Sequence, residues 1–319
     1  MRACRAAALG TTKMAATQLV HIPEVERLSA SCIRILGGNP GKFTLQGTNT
    51  YLVGTGPARL LIDTGEGKPS WISALKRTLE EERASVQKAL ITHWHPDHVG
   101  GIAQLLEHAP GTAVYKHDPG DGDNSHQSPA AAADWLDIKD GQTFEVEGAT
   151  LTAVHTPGHT TDHMAFVLRE EDALFTGDNV LGQGTAVFED LGMYLRSLAK
   201  MEKLVAGRAY PGHGPVLPEA GAKISEYVRH RHQREAQVLE TLGSAKGGSE
   251  SVSPPVTGLE QIDRWSSMEL VKVIYREVPE SLHLPAQGGV LQILRKLRDE
   301  DKVILEGEDR WRLKDRFSL

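Results

Sequence analysis

Cysteines and long apolar runs are both scarce in this chain of 319 residues. The two cysteines, Cys4 and Cys32, are too few to form the disulfide framework of a small secreted domain. Their scarcity favours a reducing compartment. No apolar run approaches the ~18 residues that a membrane-spanning helix requires, so we expect no membrane among the partners of the protein.

Positive charge is also in short supply. The formal net charge is −7, which argues against general affinity for nucleic acids but leaves room for a local basic patch. The first twenty residues depart from this balance, because they contain Arg2, Arg5 and Lys13 and no acidic residue. They predict a flexible N-terminal extension of a cytoplasmic protein, with a weak mitochondrial transit peptide as the alternative.

Hydrophobic periodicity divides the rest of the chain into parts. From about residue 48 to 215, short apolar strands alternate with amphipathic helices, which is typical of an α/β protein. A long polar helix over 218–243 follows, then a tract rich in Gly, Ser and Pro, and finally a helix, a helix and a hairpin in a winged-helix-like order. We predict an extension over 1–20, a main domain over 21–242, a linker over 243–258 and a small C-terminal domain over 259–319.

The stretch ALITHWHPDH places three histidines and one aspartate within six residues. His93 and His95 are two residues apart, so on an extended segment they face the same side. Asp97 and His98 come after a proline has bent the chain, so they can address a second point nearby. Imidazole and carboxylate groups bind zinc and similar divalent ions, and two neighbouring ions could share these four side chains. Surface histidines beside a helix N-terminus are the alternative.

Three further motifs carry the same kinds of side chain. His159 lies in TPGHT, Asp178 in FTGD and His213 in YPGHG. Each one ends an apolar strand and stands next to glycine, where a rigid scaffold would hold a ligand. Together with the histidine-rich stretch they make seven candidate ligands, which predicts a site for two metal ions.

The motifs LIDTG, THWHPDH, TPGHT, FTGD and YPGHG, in this order, resemble those of the metallo-β-lactamase superfamily. The resemblance covers residues 30–240. It implies an αββα sandwich, in which two mixed sheets lie face to face with helices outside and the metals at one rim. The expected fold class is therefore α/β: a metallo-β-lactamase sandwich with a small winged-helix-like module at the C-terminus.

The resemblance also implies two zinc ions per chain. Two ions ~3.5–4 Å apart activate a water as nucleophile and polarise the group under attack. Asp97 would be the catalytic residue that moves the proton of that water, and Asp63 in LIDTG would orient the ligand loop. The implied ligands are His93, His95 and His159 for one zinc, Asp97, His98 and His213 for the other, and Asp178 as the bridge.

The sequences that flank the metal motifs narrow the range of expected substrates. The stretches NPGKFTLQGTNTYLVGTG and GTAVFEDLGMYLRSL resemble a branch that contains polyketide thioesterases and endoribonucleases specific for single-stranded RNA. The thioesterases look closer, which implies hydrolysis of the thioester between a polyketide and the acyl carrier protein domain of its synthase. The alternatives are an endoribonuclease with RNA as partner, a glyoxalase II-like thioester hydrolase, and a metal- or RNA-binding module without catalysis.

Charge helps to separate the two leading hypotheses. The region 262–319 contains eleven Lys or Arg and eleven Asp or Glu residues, whereas a module that grips RNA should carry excess positive charge. The counter-evidence is VRHRHQRE, where Arg229, Arg231 and Arg234 form a basic stretch of helix. That stretch could attract an acidic carrier protein or RNA, and a solvated helix face is the alternative.

The sequence does not assign a single role to some residues near the motifs. His163 in HTTDHMA would contact the substrate or a metal ligand, or else serve the structure. Trp71 and Trp94 are expected to pack rather than to recognise substrate. The tract DPGDGDNSHQSPAAAAD predicts a long surface loop near the site that admits an extended acyl chain.

Overall fold

A computed structural model describes residues 19–120, 135–244 and 264–314. The described chain folds into two sheets with helices on both sides and a small module at its end. Among these residues, every helix is too short or too polar to cross a membrane. Most of the predicted N-terminal extension, of the predicted linker and of the predicted long loop lies outside the described residues.

The larger sheet has seven strands in sequence order. Its first four strands pair antiparallel and the remaining pairs are parallel. The strands are β1 (Val25–Arg27), β2 (Cys32–Leu36), β3 (Asn49–Val53), β4 (Ala58–Ile62), β5 (Ser85–Ile91), β6 (Ala113–Lys116) and β7 (Leu136–Asp137).

The smaller sheet has five strands. Three antiparallel pairs are followed by one parallel pair at the edge. The strands are β8 (Thr143–Val146), β9 (Ala149–His155), β10 (Met164–Leu168), β11 (Ala173–Gly177) and β12 (Ala209–Pro211), and they lie in the order β12-β11-β10-β9-β8.

The helices cover the outer faces of the two sheets and build the C-terminal module. The long polar helix predicted over 218–243 is observed over Ala220–Gly243. The helices are α1 (Pro69–Glu82), α2 (Pro96–Val99), α3 (Ile102–His108), α4 (Leu191–Met201), α5 (Ala220–Gly243), α6 (Ser267–Ile274) and α7 (His283–Asp299), and the hairpin of the module is β13 (Val303–Leu305) with β14 (Trp311–Leu313).

Alternate side chains of the central strands enter different cores, which explains why these strands are apolar throughout. Leu60 and Ile62 face the core between the two sheets, whereas Leu61 faces the core under α1. Trp71 belongs to that second core, is fully buried and donates from Nε1 to Thr50 Oγ1 at 2.9 Å. Its packing role is as predicted, and the αββα sandwich is confirmed.

The C-terminal module shares a core with the main domain. Leu294 and Trp311 of the module belong to the same buried cluster as Leu198 of α4 and Ile224 of α5. The module is therefore packed against the helices that cover the smaller sheet, and its helix, helix and hairpin confirm the winged-helix-like order. The domain boundaries given above stay a prediction.

The N-terminal strands are the main feature of the fold that the sequence did not reveal. The predicted alternation of strands and helices starts near residue 48, yet β1 and β2 precede it and extend the larger sheet. β1 has only three residues, and such a short strand leaves no visible period. These two strands complete the antiparallel half of the sheet.

Candidate metal centre

All seven predicted metal-binding side chains lie at one edge of the sandwich. They come from loops that follow β5, β9, β11 and β12, and because the β11–β12 and β4–β5 pairs are parallel, their ends meet at the same edge. The side chains form two groups in which the ligand atoms lie within 4.8 Å of one another. The first group consists of His93, His95, His159 and Asp178. The second group consists of Asp97, His98 and His213.

In the first group, three imidazole nitrogens face one another. His95 Nδ1 lies 2.9 Å from His93 Nε2 and 3.1 Å from His159 Nε2, and the two Nε2 atoms are 3.3 Å apart. The ligand atoms around a tetrahedral zinc with bonds of ~2.0–2.1 Å are about 3.3 Å apart. The spacing therefore fits a divalent ion.

Hydrogen bonds at the far side of two of these rings fix which nitrogen is free to bind a metal. His159 Nδ1 donates to the main-chain oxygen of Val187 at 2.8 Å, so its Nε2 carries the lone pair. Thr92 Oγ1 lies 2.9 Å from Asp63 Oδ2 and gives its proton to that carboxylate, so it accepts from His93 Nδ1 at 2.9 Å. The lone pairs of two Nε2 atoms therefore point to one place beside His95 Nδ1, an arrangement that suits a divalent cation.

The second group places one carboxylate beside two imidazoles. Asp97 Oδ2 lies 3.3 Å from His98 Nε2 and 3.2 Å from His213 Nε2. Asp178 lies between the two groups, with Oδ2 3.2 Å from His213 Nε2 and 3.7 Å from His159 Nε2. This position suits a ligand shared by two ions.

Buried atoms without a partner support the fit of a metal. His98 Nε2 and Asp178 Oδ1 are buried and lie 3.5 Å apart, yet neither forms a well-oriented hydrogen bond with a described residue. A buried polar atom left in this state is costly. The donor set of imidazoles and carboxylates is the one that zinc and similar ions bind, so the residues fit the metal that the motifs imply.

The histidines of the two groups have pKa values that are shifted in opposite directions. Burial, and then the neighbouring histidines, lower the pKa of His93 and bring that of His95 to about 4, so both are neutral ligands at pH 7. Burial alone would lower the pKa of His213, but Asp178 and Asp97 raise it to about 9.

The carboxylate of the second group responds to the same neighbours. Burial alone would raise the pKa of Asp97, but His98 and a hydrogen bond with His213 hold it well below its usual range. Asp97 is therefore ionised at neutral pH. A metal cation can take the place of the protons that the second group shares.

Asp63 orients the histidine-rich loop, as predicted. It follows β4 with a positive φ of 58°, a conformation that aspartate tolerates better than most residues. Its Oδ1 accepts the backbone N–H of Thr92 at 2.8 Å, and its Oδ2 accepts Nδ1–H of His98 at 2.7 Å. His98 therefore presents its Nε2 to the site.

His163 supports the structure and contacts a candidate ligand through the backbone. It is fully buried, and its Nε2 accepts the backbone N–H of Asp178 at 3.1 Å. A Cβ at Gly177 would lie only 2.5 Å from that nitrogen, and one at Gly212 would lie 2.2 Å from Asp178 Oδ1. The glycines of FTGD and YPGHG therefore allow this close approach.

Asn39 and Thr48 are site residues that sequence reasoning missed. Thr48 Oγ1 donates to Asp97 Oδ2 at 3.0 Å, and Asn39 Nδ2 donates to Thr48 Oγ1 at 3.1 Å. The Asn39 side chain also accepts the backbone N–H of Thr48 at 2.9 Å. The only sequence signal was their place in NPGKFTLQGTNTYLVGTG, the stretch that resembles the thioesterase branch.

A cleft of about 410 Å³ opens above the two groups. Lys42, Phe43 and Leu45 line one wall and six residues of the segment 181–187 line the other, with five of the seven predicted ligands between them. Phe43 is 72% exposed and Val187 is 60% exposed, so apolar side chains stand at its mouth. Such a cleft can admit a carbon-rich ligand.

The basic stretch on α5 is not one free patch. Arg229 is exposed, but Arg231 Nη2 donates to the main-chain oxygen of Ala186 at 2.8 Å. The guanidinium of Arg234 stacks 4.4 Å above the ring of Tyr275. Two of the three arginines are therefore engaged within the protein.

Family models match both parts of the described chain. A model of the metallo-beta-lactamase superfamily matches residues 43–213, and a model of the beta-lactamase associated winged helix domain matches residues 266–311. Lactamase-like protein adaB from Aspergillus niger is 44% identical over 91% of this chain and 87% of its own length. Atrochrysone carboxyl ACP thioesterase from Aspergillus chevalieri is 42% identical over 92% of this chain and 91% of its own.

Solved structures resemble the whole arrangement. A metallo-beta-lactamase family protein from Thermus thermophilus matches with a TM-score of 0.66 and 23% identity, over 90% of this chain and 100% of that one. A beta-lactamase domain protein from Burkholderia ambifaria matches with a TM-score of 0.73 and 18% identity, over 94% and 96%. At these identities the likeness concerns the fold.

We predict that the protein binds about two divalent ions per chain, because seven ligands exceed the capacity of one tetrahedral ion. Replacing His213 by alanine removes a ligand from the second group only, so His213→Ala should retain about one ion. Elemental analysis of the purified protein measures both values. A single tight ion in the wild type, unaffected by His213→Ala, would contradict the two-metal site.

Proposed function

Because the chain belongs to the metallo-β-lactamase superfamily, we propose that it is a zinc-dependent thioesterase of polyketide biosynthesis. Its substrate is a polyketide held as a thioester on an acyl carrier protein, and hydrolysis releases the product. The observation that carries this proposal is the 42% identity, over nearly the whole chain, to a protein named as an ACP thioesterase. Relatives named lactamase-like proteins ptaB and aptB are similar over as much of the chain.

Two zinc ions are the proposed cofactors. When bound, they supply a lowered pKa for water and polarisation of the thioester carbonyl. The proposed ligands are His93, His95 and His159 for one ion, Asp97, His98 and His213 for the other, and Asp178 for both.

Asp97 is the proposed proton acceptor. Its carboxylate is ionised and partly exposed to the cleft, and the Thr48 hydroxyl fixes one of its oxygens. A carboxylate held in this way can take the proton of an attacking water within hydrogen-bond reach. The leaving thiolate is stable enough to need little help from an acid, so the site requires no second proton donor.

The cleft walls fit the acyl part of this substrate. Phe43, Leu45, Leu181 and Val187 are apolar and surround the entrance to the candidate ligands. A polyketide chain is largely carbon, so its burial against these side chains contributes binding free energy at ~25 cal/mol per Å². The thioester carbonyl would then lie above Asp97.

A groove next to the cleft is the proposed docking surface for the carrier protein. It has a volume of about 810 Å³ and lies between α4, α5 and α7. One stretch of chain borders both the groove and the cleft, because Glu189 lines the groove and Val187 lines the cleft. A carrier docked there is placed to extend its acyl arm towards the metal centre.

The groove is lined by four acidic and four Lys or Arg side chains, and two exposed arginines among them are the proposed contacts for an acidic partner. Asp299 pairs with Arg298, and Glu300 with Lys296. The exposed Arg196 and Arg295 have no ion-pair partner within the described parts of the chain, and His232 is exposed beside them. Carrier proteins are usually acidic, and complementary charge raises the rate of encounter.

The substrate class can be tested on purified protein. We expect metal-dependent release of free acid from an acyl-carrier thioester and no cleavage of unstructured RNA. The thiol set free can be followed with a thiol reagent, and the RNA by gel electrophoresis. If the protein ignores every acyl thioester and cuts single-stranded RNA, the endoribonuclease alternative replaces the thioesterase.

The variant Asp97→Asn should separate the role of this residue as a proton acceptor from its role as a metal ligand. The amide keeps the shape and one ligand oxygen but cannot accept the proton, so kcat should fall by about 10²–10⁴-fold, well beyond the loss of metal. Activity and metal content are measured on the same preparation. Equal losses would make Asp97 a ligand only, and retained turnover would remove it from the mechanism.

Charge reversal tests the docking groove. The double variant Arg196→Glu/Arg295→Glu should lower kcat/KM for the carrier-bound thioester on the order of tenfold at low salt, because steering depends on long-range charge. Hydrolysis of a small soluble thioester should not change. The control is the double variant Lys76→Glu/Arg83→Glu, which makes the same change in net charge at two exposed positions on and directly after α1. An equal effect of this control would show that net charge alone matters.

A further inference from the structure

One wall of the cleft is a segment without regular secondary structure. Residues 181–190 lie between β11 and α4 and contain no helix or strand. The segment also supplies the main-chain oxygen of Val187, which accepts Nδ1–H of His159 at 2.8 Å. The orientation of a proposed metal ligand therefore depends on the position of this loop.

Side chains from two helices hold the loop by its carbonyl groups. Tyr227 Oη donates to Gly184 O at 2.9 Å, and Arg231 Nη2 donates to Ala186 O at 2.8 Å. Both residues are on α5, and their spacing of four places them on the same helix face. From α7, Gln292 Nε2 donates to Glu189 O at 2.7 Å.

Of these three side chains, Arg231 makes the contact that lies nearest along the chain to the carbonyl of Val187. The carbonyl that it holds belongs to Ala186, and the next carbonyl along the chain accepts from His159. Its guanidinium also lies 4.7 Å above the ring of Phe188, within the same loop. A planar guanidinium can stack on a ring and donate to a carbonyl in one geometry.

The helix that carries Arg231 is itself fixed by the C-terminal module. Glu235 lies four residues further along α5 and pairs with Lys296 of α7 at 2.7 Å. Both side chains are nearly buried, at 11% and 13% exposed. The two helices and the loop therefore form one connected unit.

We propose that Arg231 is a positioning residue for the metal ligand His159 and acts through the 181–190 loop. The α5 helix and the C-terminal module together brace this wall of the metal centre. The inference rests on the proposed metal site but not on the thioester substrate. Mutation of the hydrogen-bond partner of a ligating histidine typically changes metal affinity by 10–100-fold. Arg231 does not contact His159 itself but holds the carbonyl next to the one that accepts from His159.

The test compares Arg231→Gln with Arg229→Gln, an exposed arginine on the same helix. Zinc affinity is measured by competition with a chromophoric chelator, and the relevant binding step is identified as the one that His159→Ala removes. Arg231→Gln should weaken that step by about tenfold, while Arg229→Gln should leave it unchanged. Arg231→Lys should recover part of the affinity, because its ammonium can still donate to Ala186 O.

The unfolding temperature of the metal-free variants separates positioning from general support. The proposal expects a similar unfolding temperature for Arg231→Gln and Arg229→Gln. Unchanged zinc affinity in Arg231→Gln would overturn it. A loss of affinity that is matched by a lower unfolding temperature, with no recovery in Arg231→Lys, would overturn it too. No thioester enters these measurements, so failure of the proposed substrate leaves the result intact.

Discussion

Imidazole nitrogens and carboxylates are concentrated at one edge of this sandwich, where protons or a bound cation must balance their lone pairs and charge. Three imidazole nitrogens lie within 3.3 Å of one another, and the carboxylates of Asp97 and Asp178 stand beside them. In a dry site such groups repel one another strongly. A bound cation relieves the repulsion, so the surrounding structure has to hold the ligands in place for it.

Hydrogen bonds from neighbouring residues fix the orientation of the candidate ligands. Asp63 takes Nδ1–H of His98, the Val187 carbonyl takes Nδ1–H of His159, and His163 takes the N–H of Asp178. In each case a ligand is fixed through an atom that faces away from the site. These partners come from three different parts of the chain, which explains why the site needs both sheets and not only the histidine-rich stretch.

The sequence predicts what is local and misses what depends on distant contacts. Four candidate ligands share one short stretch and the strand-end glycines mark the other three, so these residues could be predicted from the sequence, whereas the sandwich was implied by the family resemblance. The partner of Arg231 is Ala186, 45 positions away, and no periodicity links the two. The same holds for Asn39 and Thr48, whose roles appear only when β3 brings Thr48 beside Asp97.

Distant contacts of this kind connect the C-terminal module to the metal centre. Its composition is charge-neutral, which weakens a role in gripping RNA phosphates, and its helix α7 packs into the same core as α4 and α5. Through Gln292 it also reaches the backbone of the loop that forms the cleft wall. A module placed in this way can affect the metal centre without touching the acyl group. The two parts of the chain then belong to one site, because the wall that orients His159 is held from the side where the module packs.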